Sequence, residues 1–422
     1  MSRKITILFS LMLAFLVSCP AYASGGSEGG QVNVKEIIFH HLGDGYGWEV
    51  PFSHTSRIPL PVIVRTEDGN WFCFSSSRLT ELKSVAGEDG KEKEEVVPVM
   101  YSEERDGKTY NFVIAHASSN KNKVVQCFPL DAAEQSDVEA KAAEIGDAGE
   151  GEHAVVDGYV FFDGQYYRES KPFDISITKN VLALILTVIF VSIWVISVAR
   201  YYRRKGFKAP RKGMGFMEML IDFVYTGVIK STLGSKAKRF GPFLLTCFFF
   251  ILTMNLLGLI VIFPGGANLT GNIAVTLVLA LLTFIVTNIR GSKHYWKEIF
   301  WPDVPMFLKF PIPIMQLIEV FGVFTKPAAL CVRLFANMMG GHIIVITLVS
   351  LIFIFTAFGA AATGGSLVVS ILFTVFMLLL DVLVSFIQAY VFTMLSTMFI
   401  GMSHENPHEH EHEAQEAAIA KA

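Results

Sequence analysis

From about residue 181 onward, the chain runs in long, predominantly apolar stretches, and basic clusters flank several of them. Three of these runs, VLALILTVIFVSIWVISVA (181–199), GPFLLTCFFFILTMNLLGLIVIF (241–263) and IAVTLVLALLTFIVTNI (273–289), have the length of a bilayer-crossing helix, which takes about 20 residues. Two more, 314–358 and 366–402, hold about 40 residues each. As continuous helices they would be about 60 Å long at 1.5 Å per residue. The hydrocarbon core is only about 30 Å thick, so these helices are expected to tilt, curve or break near their ends. Between them FGAAATGGS supplies glycines for a tight connection, which predicts an antiparallel helical hairpin. The segment GFMEMLIDFVYTGVIKSTLG (215–234) alternates too many polar groups to span and reads as an interfacial amphipathic helix.

The first part of the chain has another rhythm. Short β-type runs flank Asp-Gly pairs in PVIVRT-EDG-NWFCF, ERDG-KTYNFVIAH and DGYVFF-DG-QYYRES. Asp-Gly accepts the positive φ angles of tight hairpins, so residues 24–170 are expected to form a small β-rich domain. Within it, residues 131–155 are acidic and rich in Ala and Gly, which predicts a flexible excursion or a short helix. Residues 1–23 read as a secretory signal, with Arg3 and Lys4, an apolar core and an Ala21-Tyr22-Ala23 end. Leu16-Val17-Ser18-Cys19 also fits a lipid-attachment box, though Pro20 after the cysteine favours ordinary cleavage. The fold class is therefore an all-α polytopic membrane protein with about five membrane helices plus an interfacial one. The last two form a long tilted hairpin, and an exported β-rich domain precedes the spans. The boundaries are 1–23, 24–170, 171–402 and a His/Glu-rich tail, 403–422.

Composition agrees. Of 422 residues 52% are hydrophobic and 17% charged, and the mean hydropathy is +0.46. That is too apolar for a soluble domain alone. The basic cluster RYYRRKGFKAPRK after the first span, and Arg290, Lys293 and Lys297 after the third, put those ends in the cytoplasm by the positive-inside rule. The basic residues flank spans and form no stripe interleaved with aromatics, which argues against nucleic-acid binding. Cys73 and Cys127 lie in strand-like runs of the exported part, where a disulfide or two buried thiols are the readings. Cys247 and Cys331 read as inert packing residues in apolar spans. His40-His41 is a weak metal signal, and the alternation of His and Glu in the tail is as easily a solvated end as a metal binder. No metal or cofactor is called.

From Pro327 to Phe358 the hairpin's first helix carries one charged side chain, Arg333, apart from His342. Arg333 sits in KPAALCVRLFANMMGGHIIVITL, far from either end of the run. A charge at bilayer depth costs roughly 2.5–3.5 kcal/mol on insertion scales, so such a group is by default functional. In an antiparallel hairpin, residues of equal depth share a midpoint. The pairs Arg333/Gln388 and His342/Asp381 both have midpoints near Ala361, inside the expected turn. At about 100° per residue Asn337 lies close to Arg333 around the helix, and Glu319 shares that face if Pro327 does not kink it. His342 falls on the opposite side. Its depth match with Asp381 suggests a proton-relay or water-path pair sharing a titration.

These residues resemble subunit a of the F-type ATP synthase membrane sector. The likeness covers about 171–403, through Lys326-Pro327, Arg333-Leu334-Phe335-Ala336-Asn337-Met338, Ile387-Gln388-Ala389, NLLGL (255–259) and VTLVLAL (275–281), and IFHHL near residue 40 adds to it. The resemblance implies that Arg333 faces a rotating ring of c subunits, with Asn337 and Gln388 beside it and Glu319 on the cytoplasmic-facing side. It implies a His342–Asp381 relay, which some members carry in the swapped order. It further implies a non-catalytic, proton-translocating stator subunit partnered by the c ring, the b-subunit stalk and the remaining synthase subunits. The place would be a bacterial inner membrane, with the N-terminal domain periplasmic and the C-terminus cytoplasmic. The exported β domain is an insertion relative to compact members. Two alternatives remain: a self-contained ion- or proton-coupled transporter, for which no inverted repeat is visible, and an intramembrane hydrolase, which lacks a nucleophile or metal motif.

Overall fold

The computed structural model describes residues 43–49, 57–86, 92–115, 120–145, 156–206, 213–260, 269–300, 314–356 and 360–404. It divides into two compact units, Met1–Ala183 and, in the main, the residues from Leu184 onward. The proposed signal segment, His40-His41 and tail residues 405–422 lie outside the described residues.

The first unit runs β1 (Gly47–Glu49), β2 (Arg57–Pro59), β3 (Pro61–Arg65), β4 (Trp71–Ser75), β5 (Thr80–Ala86), β6 (Glu92–Pro98), β7 (Tyr101–Arg105), β8 (Lys108–Ile114), β9 (Val124–Pro129), α1 (Ala132–Ile145), β10 (Tyr159–Phe162), β11 (Gln165–Ser170) and β12 (Phe173–Asp174). Two of the three Asp-Gly pairs form two-residue turns, whereas Asp68-Gly69 lies in the longer loop 66–70 with only Gly69 at positive φ, 86°. Asp106 and Gly107 take φ of 54° and 71°, and Asp163 and Gly164 take 50° and 85°. Each pair is thus the two-residue loop of a hairpin, closed at Arg105↔Lys108 and Phe162↔Gln165. Strands β10-β11-β9-β8-β7 form a five-stranded sheet, and β12-β3-β4 a three-stranded one.

Alternation along the strands decides how these sheets stack. Val62, Val64, Phe72 and Phe74 point inward from the small sheet onto Tyr110, Phe112 and Val124 of the large one. Phe72 lies 4.9 Å from the Tyr110 ring and 5.2 Å from Phe112, contacts that each add about 0.5–1.5 kcal/mol beyond their buried area. The other face of the large sheet holds Val113, Val125, Cys127 and Val160. α1 packs Val138 against Val156 and Tyr166, and Tyr166, paired with Phe161, lies on the opposite face from Val160 and Tyr167. The acidic stretch is therefore partly a helix, α1.

This layering corrects the disulfide reading. Cys73 points away from the core and is exposed, while Cys127 is buried beyond the far face of the large sheet. The core layer between two packed sheets is about 10 Å thick. A disulfide needs Cα atoms about 4.4–6.8 Å apart. Both cysteines are free thiols, and burial followed by the charge of Glu169 pushes Cys127 up to about 12.

The second unit is helical. α2 (Lys179–Lys205) crosses from the first unit into it and ends on Arg203, Arg204 and Lys205. α3 (Gly213–Val224) runs on through a π-turn at Tyr225–Lys230 and a break at Gly234, whose φ is +53°, into α4 (Ala237–Leu259). Asn272 caps α5 (Ile273–Ile289), its Oδ1 accepting from the Ala274 N–H at 3.0 Å. Then come α6 (Lys293–Phe300), α7 (Ile314–Thr356) and α8 (Ala360–Ser403). α2, the run Gly213–Leu259, α7 and α8 are long and apolar enough to cross a membrane, and α5 is a shorter apolar helix. The protein is a multi-pass membrane protein.

α7 and α8 hold 43 and 44 residues, about 65 Å each at 1.5 Å per residue. Neither breaks: α7 passes through Pro327. Ala360–Ser366 of the expected turn is already the first part of α8. Consecutive alanines favour helix, and this outweighs the roughly 1 kcal/mol that each of Gly364 and Gly365 costs there. α8 packs mainly on α4, not on α7. Phe248, Ile251, Phe392 and Ile400 are buried in that core. The buried face of α3, including Met217, Leu220 and Val224, joins the same cluster. At one end, Lys236 donates to the His404 carbonyl at 2.9 Å and the Ser292 N–H to Ser403 at 2.8 Å.

Candidate functional site

Because α8 leans on α4, α7 and α8 do not close along their whole length, and polar side chains line what is left. On α8 they recur at helical spacing: Ser370, Thr374, Asp381, Ser385 and Gln388. All but Asp381 are buried, and Asp381 is half-buried. The hydroxyl of Ser370 has no hydrogen-bond partner among the described residues.

Asp381, Ser385 and Gln388 face Asn337, Gly341 and His342 of α7 across a narrow cleft, with Asn255 and Leu259 of α4 at its side. His342 and Asp381 thus line the same cleft, as their equal depth predicts. Gly341 makes this approach possible. A Cβ there would stand 2.7 Å from Asp381 Oδ1 and 3.0 Å from its Cγ. Helical glycine at this position is required by a close approach rather than by backbone angles. Asn255 is itself held, its Oδ1 accepting from the Thr270 hydroxyl at 2.9 Å.

A second cleft lies toward the start of α7. Thr283, Thr287 and Asn288 of α5, Tyr295 of α6, Lys326 and Leu330 of α7 and Phe399 of α8 line it. Thr283 and Thr287 turn their hydroxyls back to the carbonyls of Leu279 and Thr283 at 3.3 and 2.8 Å. The Tyr295 hydroxyl donates to Asn288 Oδ1 at 3.4 Å. Burial, and then the nearby charge of Glu319, raise the Tyr295 phenol above its ordinary value, so it stays a donor. Lys326 rests its ammonium 5.6 Å from the centre of the Phe399 ring.

Arg333 lines neither cleft. Along α7 the second cleft ends at Leu330 and the first begins at Leu334. The arginine stands between them, exposed on the same side as Val332, Ala336 and Asn337. No ion pair or hydrogen bond engages its guanidinium among the described residues. The structure therefore gathers Asn337, His342, Asp381 and Gln388 in one place, puts Glu319 near the other cleft, and sets Arg333 between. Sequence reasoning missed Gly341, Ser385, Asn255, Thr287, Asn288 and Tyr295. The Thr and Ser spacing of four on α5 and α8 was the available signal; Gly341 gave none beyond being one of two adjacent glycines.

The family model described as ATP synthase A chain matches residues 181–401, and one described as a domain of unknown function (DUF8433) matches 37–148. ATP synthase subunit a of Chloroherpeton thalassium is 39% identical over 268 residues, covering 60% of this chain and 77% of that one. ATP synthase subunit a 2 of Chlorobaculum tepidum is 43% identical over 56% of this chain and 66% of its own length. ATP synthase subunit a 2 of Chlorobium luteolum is 36% identical across 73% of this chain and 88% of its own, so that likeness reaches into the β-rich unit. The chain belongs to the ATP synthase A chain family.

Proposed function

We propose that the two clefts are proton half-channels that meet at Arg333 without joining, and that the chain is the stator against which a ring of c subunits turns. What supports this is the position of Arg333, an exposed cation between two polar clefts on one continuous helix. A proton taken up on the exported side passes Asp381, His342 and Asn337 and neutralises a carboxylate of the ring. The neutral carboxyl can turn toward lipid, whereas an ionised one pays the full cost of burying a charge. After nearly a full turn the proton leaves along Thr287, Asn288 and Tyr295 toward Glu319. Arg333 attracts each ionised carboxylate as it passes and keeps protons from crossing directly between the clefts. Gln388, buried at the edge of the His342 cleft, is the matching polar group on α8. A proton crossing 100 mV carries about 2.3 kcal/mol, so several are coupled to each ATP.

In this reading the chain sits in a bacterial inner membrane with the β-rich unit exported and the basic end near Lys236, Arg239 and Arg290 cytoplasmic. The c ring, the b stalk and the other synthase subunits are its partners, and catalysis belongs to another part of the complex. Arg333→Ala in assembled complexes should lower ATP-driven proton pumping at least about tenfold, or about 1.4 kcal/mol of barrier. Arg333→Lys should also fail, because an ammonium lacks the planar guanidinium fork. Near-normal pumping by either variant would overturn the reading.

A further inference from the structure

The three-stranded sheet buries one face in the core and leaves the other uncovered among the described residues. On that outer face the register sets Phe173, Arg65 and Trp71 side by side. The next row is Ile175, Ile63 and Cys73, fixed by the Ile175 N–H to the Ile63 carbonyl at 3.0 Å and by the Ile63↔Cys73 pairing. No acid is among the six. Phe173 is 64% exposed, Ile175 52% and Trp71 47%. With Ile58 and Val181 they make up the exposed large apolar side chains of the first unit among the described residues. The single charge, Arg65, holds its guanidinium 5.8 Å from the centre of the Trp71 ring.

We propose that this face rests on the lipid headgroups of the leaflet where α2 meets the membrane. The argument is continuity with a span. Beyond β12 the chain stays hydrogen-bonded to β3 as far as Ile177, whose N–H donates to the Pro61 carbonyl at 3.2 Å. Two residues later α2 begins. The Lys179 N–H donates to Gly45 at 2.8 Å and the Asn180 N–H to Asp44 Oδ1 at 3.1 Å, so strand end and helix start are fixed to the same unit. At about 3.6 Å per residue at most, Ile175 lies within roughly 15 Å of the first residue of α2. An apolar sheet face left in water at that point would be a liability. Trp and Phe with a neighbouring Arg are the side chains suited to the interface, rings at headgroup level and cation toward phosphate. The inference rests on the membrane assignment of α2 and not on the proton path.

Cys73 lies on this face and is exposed, so it can carry a nitroxide label with no further change. The full synthase complex, labelled and reconstituted into phosphatidylcholine–phosphatidylglycerol vesicles, is compared with a Cys73→Ser complex and with one labelled at Ser102→Cys in that background. The expected result is a ratio of oxygen collisions to those of a water-soluble nickel chelate several-fold higher at position 73 than at position 102. Equal ratios would place the face in water. A label shielded from both agents would place it under protein. Either result overturns the proposal. ATP-driven pumping by the same vesicles reports on assembly and on the proton path separately.

Discussion

The two clefts on either side of Arg333 are made of different chemistry. The His342 cleft holds a histidine facing an aspartate, brought together because Gly341 has no side chain. The Tyr295 cleft is lined by hydroxyls and an amide, and its phenol is held protonated by burial and by the charge of Glu319. The first can take up and release a proton on its own groups. The second offers hydroxyls and an amide, with Lys326 also lining it and Glu319 near Tyr295. If the clefts are the half-channels proposed above, the two arms are built unalike: one from a histidine and an aspartate, the other mainly from hydroxyls and an amide.

That contrast can be broken by substitution. Single exchanges His342→Asp and Asp381→His should each cut ATP-driven pumping by about tenfold or more, near 1.4 kcal/mol. The double exchange should recover part of the loss, since groups sharing one titration couple non-additively. A double variant no better than the worse single would show that the two do not interact. Gly341→Ala places a methyl against the Asp381 carboxylate, and contacts that tight must shift one partner. Pumping should fall several-fold with assembly intact, and Asp381→Asn in the Gly341→Ala background should add little. Full activity of Gly341→Ala would mean that Asp381 has room to move. The smallest effect is expected for Tyr295→Phe, a loss of about two- to threefold, since one neutral hydrogen bond contributes roughly 0.5–1.5 kcal/mol. A larger loss there than in the His342 cleft would reverse the contrast.

Much of this was legible in the chain. Asp106-Gly107 and Asp163-Gly164 announced their hairpins because few other dipeptides accept two positive φ angles in succession. The bounds of α5 matched its apolar run, with Asn272 as the cap. Arg333, His342 and Asp381 stood out because ionisable groups are costly at that depth. Other features needed coordinates. Ala360–Ser366 read as a turn from its glycines, yet helix continued through them. Cys73 and Cys127 both sat in strand-like runs, but strand alternation alone does not tell which of two stacked sheets, or which face, each occupies. The role of Gly341 was hidden, because a glycine that admits a neighbour looks in sequence like any other.

The central claim is that Arg333 insulates one cleft from the other while serving the ring. The most direct measurement is passive proton flux, under an imposed gradient, through vesicles bearing the Arg333→Ala complex, read beside ATP-driven pumping in the same vesicles. The account predicts that pumping is lost while passive flux persists or rises above that of the unaltered complex. Loss of both with the complex fully assembled, or retention of pumping, would contradict it.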